Sequence, residues 1–500
     1  MKKTTRILLL VLVACFIFAS CDQTPATGKT GDVKPTGKTA QTADTGVGST
    51  EEDPYKFEPV AGLDFGGEDF TILVPISGGW SQYLDFTPTE KTEDAVSDAN
   101  YERKQQLKEL YNVNITEIIG SSNVAEDAKI DHKAGNNTYD AIHVPTSLIG
   151  QLAQGGYLVD LKTLSSVHLE NPWYNQNAVR QLSIGGKLFF TLGDISIVDN
   201  DGIATMMFHK GLIEENNLTS PYKYIQDDEW TFDNFYALCK GFASDANGDG
   251  NIDMMDNWGY LSAYSSMIGQ LISCGVEMCT KDENDLPVLS IWSDRNAEIV
   301  EKVLEMYIDN TTTFHVDQID KNRTGGQSIY EYGNTMFMEN RLLFRQTAMY
   351  RAIQCRQMEE DFGIIPYPKY DKEQKEYKHT FSTATPVIAI LNTADDPESN
   401  GAVIEALSYY GRTIVLPEYK ERLLKGIVSR DEESEFCLDI IFDSADYDLG
   451  NFLGIGGYMT MFANMCKNKT NSFASDYDKG KEAAEKQIQD YIDGYASVLG

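Results

Sequence analysis

Strand-like and helix-like segments alternate along this chain, and the alternation predicts an α/β protein of two lobes with mostly parallel sheets. Three observations carry that expectation. Short apolar runs read as strands at residues 70–74, 113–118, 139–144 and 187–191. Between the first two, residues 92–110 place Ala95, Ala99, Leu107 and Leu110 among polar residues, a helical pattern. About 445 residues follow a polar N-terminal stretch, more than a single core organises well.

The chain begins with Lys2, Lys3 and Arg6 and an apolar run through Phe18. That run is too short to span a bilayer and reads as an export signal over residues 1–20. Phe18-Ala19-Ser20-Cys21 then resembles a bacterial lipoprotein signal, which implies lipidation of Cys21. A plain secretion signal cut nearby is the alternative. Either places the working part outside the membrane. Residues 21–54 are Thr, Gly, Lys, Ala, Asp and Pro with almost nothing large and apolar, the composition of a disordered tether.

The formal charge is −34, and losing Lys2, Lys3 and Arg6 with the signal takes it to −37. So acidic a body argues against nucleic acid or an anionic membrane face as partner. Cys15 leaves with the signal. Cys239, Cys274, Cys279, Cys355, Cys437 and Cys466 match no zinc spacing and include no Cys-x-x-Cys. Cys274 and Cys279 could pair, or all six could be scattered buried thiols.

Asp245, Asn247, Asp249, Asn251, Asp253 and Asp256 have the spacing of a calcium loop. Gly250 falls at the turn position and Ile252 at the position expected to point inward. Asp256 stands where a longer Glu is usual, so bidentate ligation there is in doubt. An acidic surface turn is the plain alternative. A helix is expected before the loop, over residues 231–243, and no exit helix follows it. A single structural calcium ion therefore suits the pattern better than a paired sensor.

Five stretches, in order, resemble the extracellular solute-binding lipoproteins of ABC importers, in the branch that binds sugars and oligosaccharides. They are Tyr139-Asp140-Ala141-Ile142-His143-Val144 with residues 152–161; Gly186-Lys187-Leu188-Phe189-Phe190; and residues 206–213 with Asn217 and Leu218. Trp230 to Phe235 with the acidic loop and Trp258-Gly259 form the fourth, and residues 337–344 with 362–369 the fifth. The resemblance spans about residues 55–500. It implies the two-lobe periplasmic-binding-protein fold (type II), with ligand in a cleft between lobes joined by hinge crossings. Lobe one would take residues 55–198 and about 364–410, and lobe two residues 199–363 and about 411–500.

The same resemblance points to cleft residues on loops that follow strands. Trp80 is a candidate stacking platform. Thr146, Ser147, Asp199, Asp201, Tyr264, Arg345, Gln346 and Tyr350 are candidate ligand contacts, because sugars offer hydroxyls and flat ring faces. No catalytic residue is expected. His143 and His315 read as core residues, and His209 as a residue that packs or caps. The expected partners are a carbohydrate and ABC permease subunits, with the protein a monomer held to the membrane by its lipid. A carbohydrate-active hydrolase and a ligand sensor for a membrane receptor are the other readings. The chain has no Gly-x-Ser-x-Gly elbow, His-Glu-x-x-His or phosphate loop.

Overall fold

Two mixed sheets and a small ribbon organise the residues described by the computed structural model, which are 55–76, 86–423 and 432–498. All of these belong to the unit Asp53–Gly500. In chain order the strands are β1 (Asp69–Val74), β2 (Asn114–Ile119), β3 (Ala141–Pro145), β4 (Ala204–His209), β5 (Trp258–Ser262), β6 (Cys279–Lys281), β7 (Pro287–Leu289), β8 (Thr313–His315), β9 (Leu342–Ala348), β10 (Phe362–Ile365) and β11 (Pro386–Ile390). The first sheet has the order β11-β3-β1-β2 and the second β10-β4-β9-β5-β8, while β6 and β7 pair alone.

The α/β class stands, but the sheets are less parallel than the sequence predicts. β1 runs parallel to β2 and β3, whereas β11 is antiparallel to β3. β5 runs parallel to β8 and β9, whereas β4 is antiparallel to β9 and β10. The reason lies in the crossings. A strand that arrives from the other sheet enters at the edge where its neighbours leave, so it runs against them. β4 and β11 both arrive in this way.

The helix Ala95–Tyr111 starts where Asp94 accepts a hydrogen bond from the Ser97 amide at 3.1 Å. It ends at Asn112, whose φ of 50° is left-handed. Val96, Ala99, Leu107 and Tyr111 form its buried face. Residues 187–191 are not a strand. Leu188, Phe189 and Phe190 are all buried, and the backbone of Leu188 bonds to Asp160 and Leu161 rather than to a neighbouring strand. The expected helix at residues 231–243 spans Phe232–Cys239, capped by Thr231.

The chain leaves the first sheet at residues 198–203 and returns at 380–385. The two passages bond to one another. Ala204 N–H donates to Thr380 O and Ser382 N–H to Gly202 O, each at 2.9 Å. Gly202 is needed there, because a β-carbon would stand 2.1 Å from Thr385 Oγ1. The return comes later than the expected residue 364 because Phe362–Ile365 pairs with β4 as β10. Residues 411–423, expected in the second lobe, pack instead on Ala95–Tyr111. The helix Pro397–Tyr410 runs on through a π turn, Gly411–Val415, into Leu416–Leu423 rather than turning away.

At the C-terminal end, the helix Phe473–Ser497 touches both the helix Thr146–Gln154 beside β3 and the helix Tyr458–Asn468. Trp230 is fully buried, and its Nε1–H donates to Pro366 O at 2.8 Å. Cys239, Cys274, Cys279, Cys355, Cys437 and Cys466 are free and buried, so Cys274 and Cys279 do not pair. Burial pushes the Cys274 and Cys466 thiols up to about 12 and Cys355 up to about 11. Among the described residues, no helix is long and apolar enough to cross a membrane.

Candidate ligand cleft

Two cavities meet where the sheets face each other across the passages. One, of about 380 Å³, lies at the ends of β5 and β9. The other, of about 450 Å³, lies at the start of the helix Thr146–Gln154. Ile268, Thr383 and Met459 line both, so they are two ends of one cleft. Its floor is the second passage, Thr380 to Thr383.

β9 supplies the most strongly positioned residues. Its successive side chains leave on opposite faces. Gln346 is tied on one side: its Oε1 accepts from Tyr260 OH at 2.9 Å and from Ser262 Oγ at 2.5 Å. Arg345, only 2% exposed, lies on the other, and its Nη2 donates to Tyr330 O at 2.9 Å. Arg345 Nε and Nη1 have no hydrogen-bond partner among the described residues. Burial pulls its pKa down to about 10, helped by the nearby charge of Arg351. Arg351 follows on the next helix, Met349–Gln354, with its guanidinium 4.9 Å from the Tyr350 ring centre and 5.5 Å from that of Tyr330.

Of the residues singled out in the sequence, Thr146 and Ser147 line one end of this cleft, and Arg345, Gln346 and Tyr350 the other. Thr146 Oγ1 donates to Thr383 O at 3.0 Å, tying the first sheet to the floor. Tyr264 stands beside the cleft rather than in its wall. Its ring rests 4.5 Å from His315, and its N–H donates to Asp317. Asp199 and Asp201 lie elsewhere. Asp201 is buried and accepts from Tyr419 OH at 2.7 Å, while Asp199 lines a separate cavity with Arg412 and Lys420. Both belong to the first passage, whose helical turn Val198–Gly202 carries them away from the cleft. Trp80 and Cys21 fall outside the described residues.

Sequence reasoning did not pick out Tyr330, Arg351, Ser382 or Thr383, all of which line the cleft. The hydroxyl-rich run Ser382-Thr383-Ala384-Thr385 ahead of an apolar strand was the available signal for the last two. Arg351 sits next to Tyr350 on a short helix, and nothing in its spacing marks it.

The acidic loop folds as a self-bonded turn. Asp245 accepts from the amides of Gly248 and Gly250, and Gly250 takes the positive φ its position requires, 86°. Asp253 pairs with Arg323 at 2.5 Å. Asp256 is wholly buried and accepts from the Ala246 and Asp253 amides. Ile252 does not point inward; it is 46% exposed, because Asp256 fills the interior of the turn. Among the described residues no three acidic, His or Cys groups converge on one point, so the ligand spacing is present but the ligands are not gathered.

His143, His209, His315 and His379 are structural. His209 Nδ1 accepts from Leu212 N–H and caps Lys210–Glu215. Burial lowers His143 and His379 to about 3 and His315 to about 4.

No protein-family model matches the chain. No curated protein sequence matches it either. Solved structures do. An ABC substrate-binding protein from Listeria monocytogenes, in complex with cycloalternan, is 13% identical. The match covers 84% of this chain and 99% of that one, with a TM-score of 0.53. The maltose/maltodextrin-binding domain MalE from Bdellovibrio bacteriovorus, bound to maltotriose, is 14% identical over 84% of this chain and 100% of that one, again with a TM-score of 0.53. The chain has the two-lobe binding-protein fold. The cleft described above lies where residues 198–203 and 380–385 pass between the two sheets.

Proposed function

We propose that this protein is an extracellular receptor, lipid-anchored through Cys21, that captures an oligosaccharide and delivers it to an ABC permease. The observation that carries the reading is the cleft itself. It opens between two sheets joined by paired crossings, and Ser262, Thr347, Ser382, Thr383 and Gln346 give it a wall of hydroxyl and amide groups. Such groups match the hydroxyls of a sugar, and Tyr330 and Tyr350 add ring faces. The two similar structures hold cycloalternan and maltotriose, which supports a sugar as ligand. Closure of the lobes would select the bound state. Capture followed by release needs no chemistry on the sugar. Calcium at the Asp245–Asp256 loop is proposed on the spacing of its oxygen ligands alone.

The test is a thermal-shift screen of the full chain against neutral and acidic oligosaccharides, each followed by chromatography of the sugar. A ligand-specific rise in melting temperature with the sugar recovered intact supports the receptor. Cleaved product would replace it with a hydrolase, and no response to any sugar would overturn sugar capture. Co-purification with a permease separates an importer component from a sensor.

A further inference from the structure

The charge lining the cleft is opposite in sign to the charge of the protein. The chain carries −34 overall, yet among the described residues the charged side chains lining the cleft are Arg345 and Arg351 at one end, and the other end has none. Neither forms an ion pair among the described residues. The groups whose charge acts on Arg345 are Cys355, Arg351 and Tyr350, and none of these is a carboxylate. Two acids stand in this neighbourhood, each accepting a backbone hydrogen bond, and Arg351 helps hold the Glu331 carboxyl low. Asp317, exposed, accepts from Tyr264 N–H at 2.8 Å, and Glu331 accepts from Ser328 N–H at 2.8 Å.

A buried guanidinium without a counter-charge is expensive to keep. Arg345 is buried, lies near a second arginine, and leaves two of its three nitrogens without a partner. Its lowered pKa still leaves it charged at neutral pH. The long-range field of the protein repels anions, so these arginines do not draw a ligand in from a distance. They act only on a group already inside the cleft. Arg351, held between the Tyr330 and Tyr350 rings, presents charge and flat apolar surface together. A sugar ring bearing a carboxylate offers both complements at once.

We infer that the ligand is an acidic oligosaccharide, whose ring carboxylate is recognised at the Arg345–Arg351 end of the cleft. This rests on the sugar-receptor reading and adds the charge of the sugar to it.

The experiment is calorimetric titration of the full chain with trigalacturonate, with the same trimer fully methyl-esterified, and with citrate. Esterification keeps the rings and removes the charge. The expected result is binding of trigalacturonate at least about tenfold tighter than its ester, the discrimination of a charge-assisted hydrogen bond. Arg351→Gln, a partly exposed site, should reduce that preference to near unity while its melting temperature stays that of the parent. Arg345→Gln is the second variant, with its melting curve recorded first because a buried charge is being removed. Equal or tighter binding of the ester, or of neutral sugars in general, overturns the acidic-sugar inference and leaves sugar capture standing. Binding of citrate with no sugar bound overturns both. A preference for the acid that survives Arg351→Gln and Arg345→Gln in folded protein also overturns the assignment.

Discussion

A β-carbon at Gly333 would stand 2.2 Å from Nη1 of Arg345. Gly333 lies on the buried face of the helix Ile329–Met338, which packs on β9. The missing side chain is the space that the guanidinium occupies. Inside an ordinary helix, Gly→Ala stabilises by about 1 kcal/mol. Here the added methyl meets a buried guanidinium that is held by Tyr330 O, and overpacking costs about 1–3 kcal/mol. Gly333→Ala should therefore lower the denaturation midpoint and weaken binding at the β9 end of the cleft. A stabilised variant with unchanged affinity would show that Arg345 is free to move.

Asp201 and Tyr419 join the first passage to the helix Leu416–Leu423. Asp201→Asn leaves the shape but removes the charge that the phenol donates to. Stability should fall by about 1–3 kcal/mol, the range for a hydrogen bond to a charged group. Ligand affinity should not change, because Asp201 does not line the cleft. Loss of binding with unchanged stability would return Asp201 to the ligand site.

His379 gives the fold a dependence on pH. Its Nε2 accepts from Tyr367 N–H at 3.0 Å, so the proton sits on Nδ1, which is 2.6 Å from Ser444 Oγ. Burial holds its pKa at about 3, against an ordinary value of 6.5. Between those values the unfolded chain binds the proton and the folded chain does not. The stability is therefore complete above about pH 6.5 and is lost as pH falls toward 3. From pH 7 to 5 the loss from this residue is about 2 kcal/mol. His379→Gln should flatten the stability profile by that amount over the same interval. Asp448 works in the opposite sense, since burial raises it to about 7 and acid relieves the penalty of its charge. Only the difference between variant and parent isolates His379.

Calcium is tested by the same kind of comparison. Asp253 must leave Arg323 before it can serve as a ligand, so affinity should be about millimolar, the weak end for external calcium modules. Millimolar calcium should raise the melting temperature by mass action, and Asp245→Asn with Asp249→Asn should abolish the rise. Equal melting in calcium and in chelator would leave the loop as a self-bonded acidic turn.

The legible parts of the fold were those fixed by local pattern. β1, β2 and β3 alternate or run apolar between turn residues, and Ala95–Tyr111 carries its own cap. Residues 187–191 read as a strand because burial on all sides looks like a sheet interior in one dimension. Leu188 bonds to Asp160 and Leu161, and Thr191 makes a single bridge to Ile388 of β11, partners too far away in sequence to be visible. Arg345 and Gln346 on β9, and Thr146 and Ser147 just after β3, could be placed at the cleft because strand ends face the gap between sheets. Asp199 and Asp201 were misplaced because a passage between lobes can turn as a helix. Arg351 went unread because its meaning depends on Tyr330, twenty-one positions earlier, arriving beside it.

The six buried thiols have a consequence for how the chain matures. The thiolate is the species that reacts with oxidants, and burial keeps Cys239, Cys274, Cys279, Cys355 and Cys466 protonated. The folded body thus contains no disulfide and no exposed thiol among its described residues. Among the described residues, the native fold asks for no disulfide-forming catalyst. The vulnerable interval is the unfolded one, when all six are exposed and can be joined wrongly. Refolding yield should therefore be higher with a reductant present than without one, the reverse of what a disulfide-built secreted protein requires.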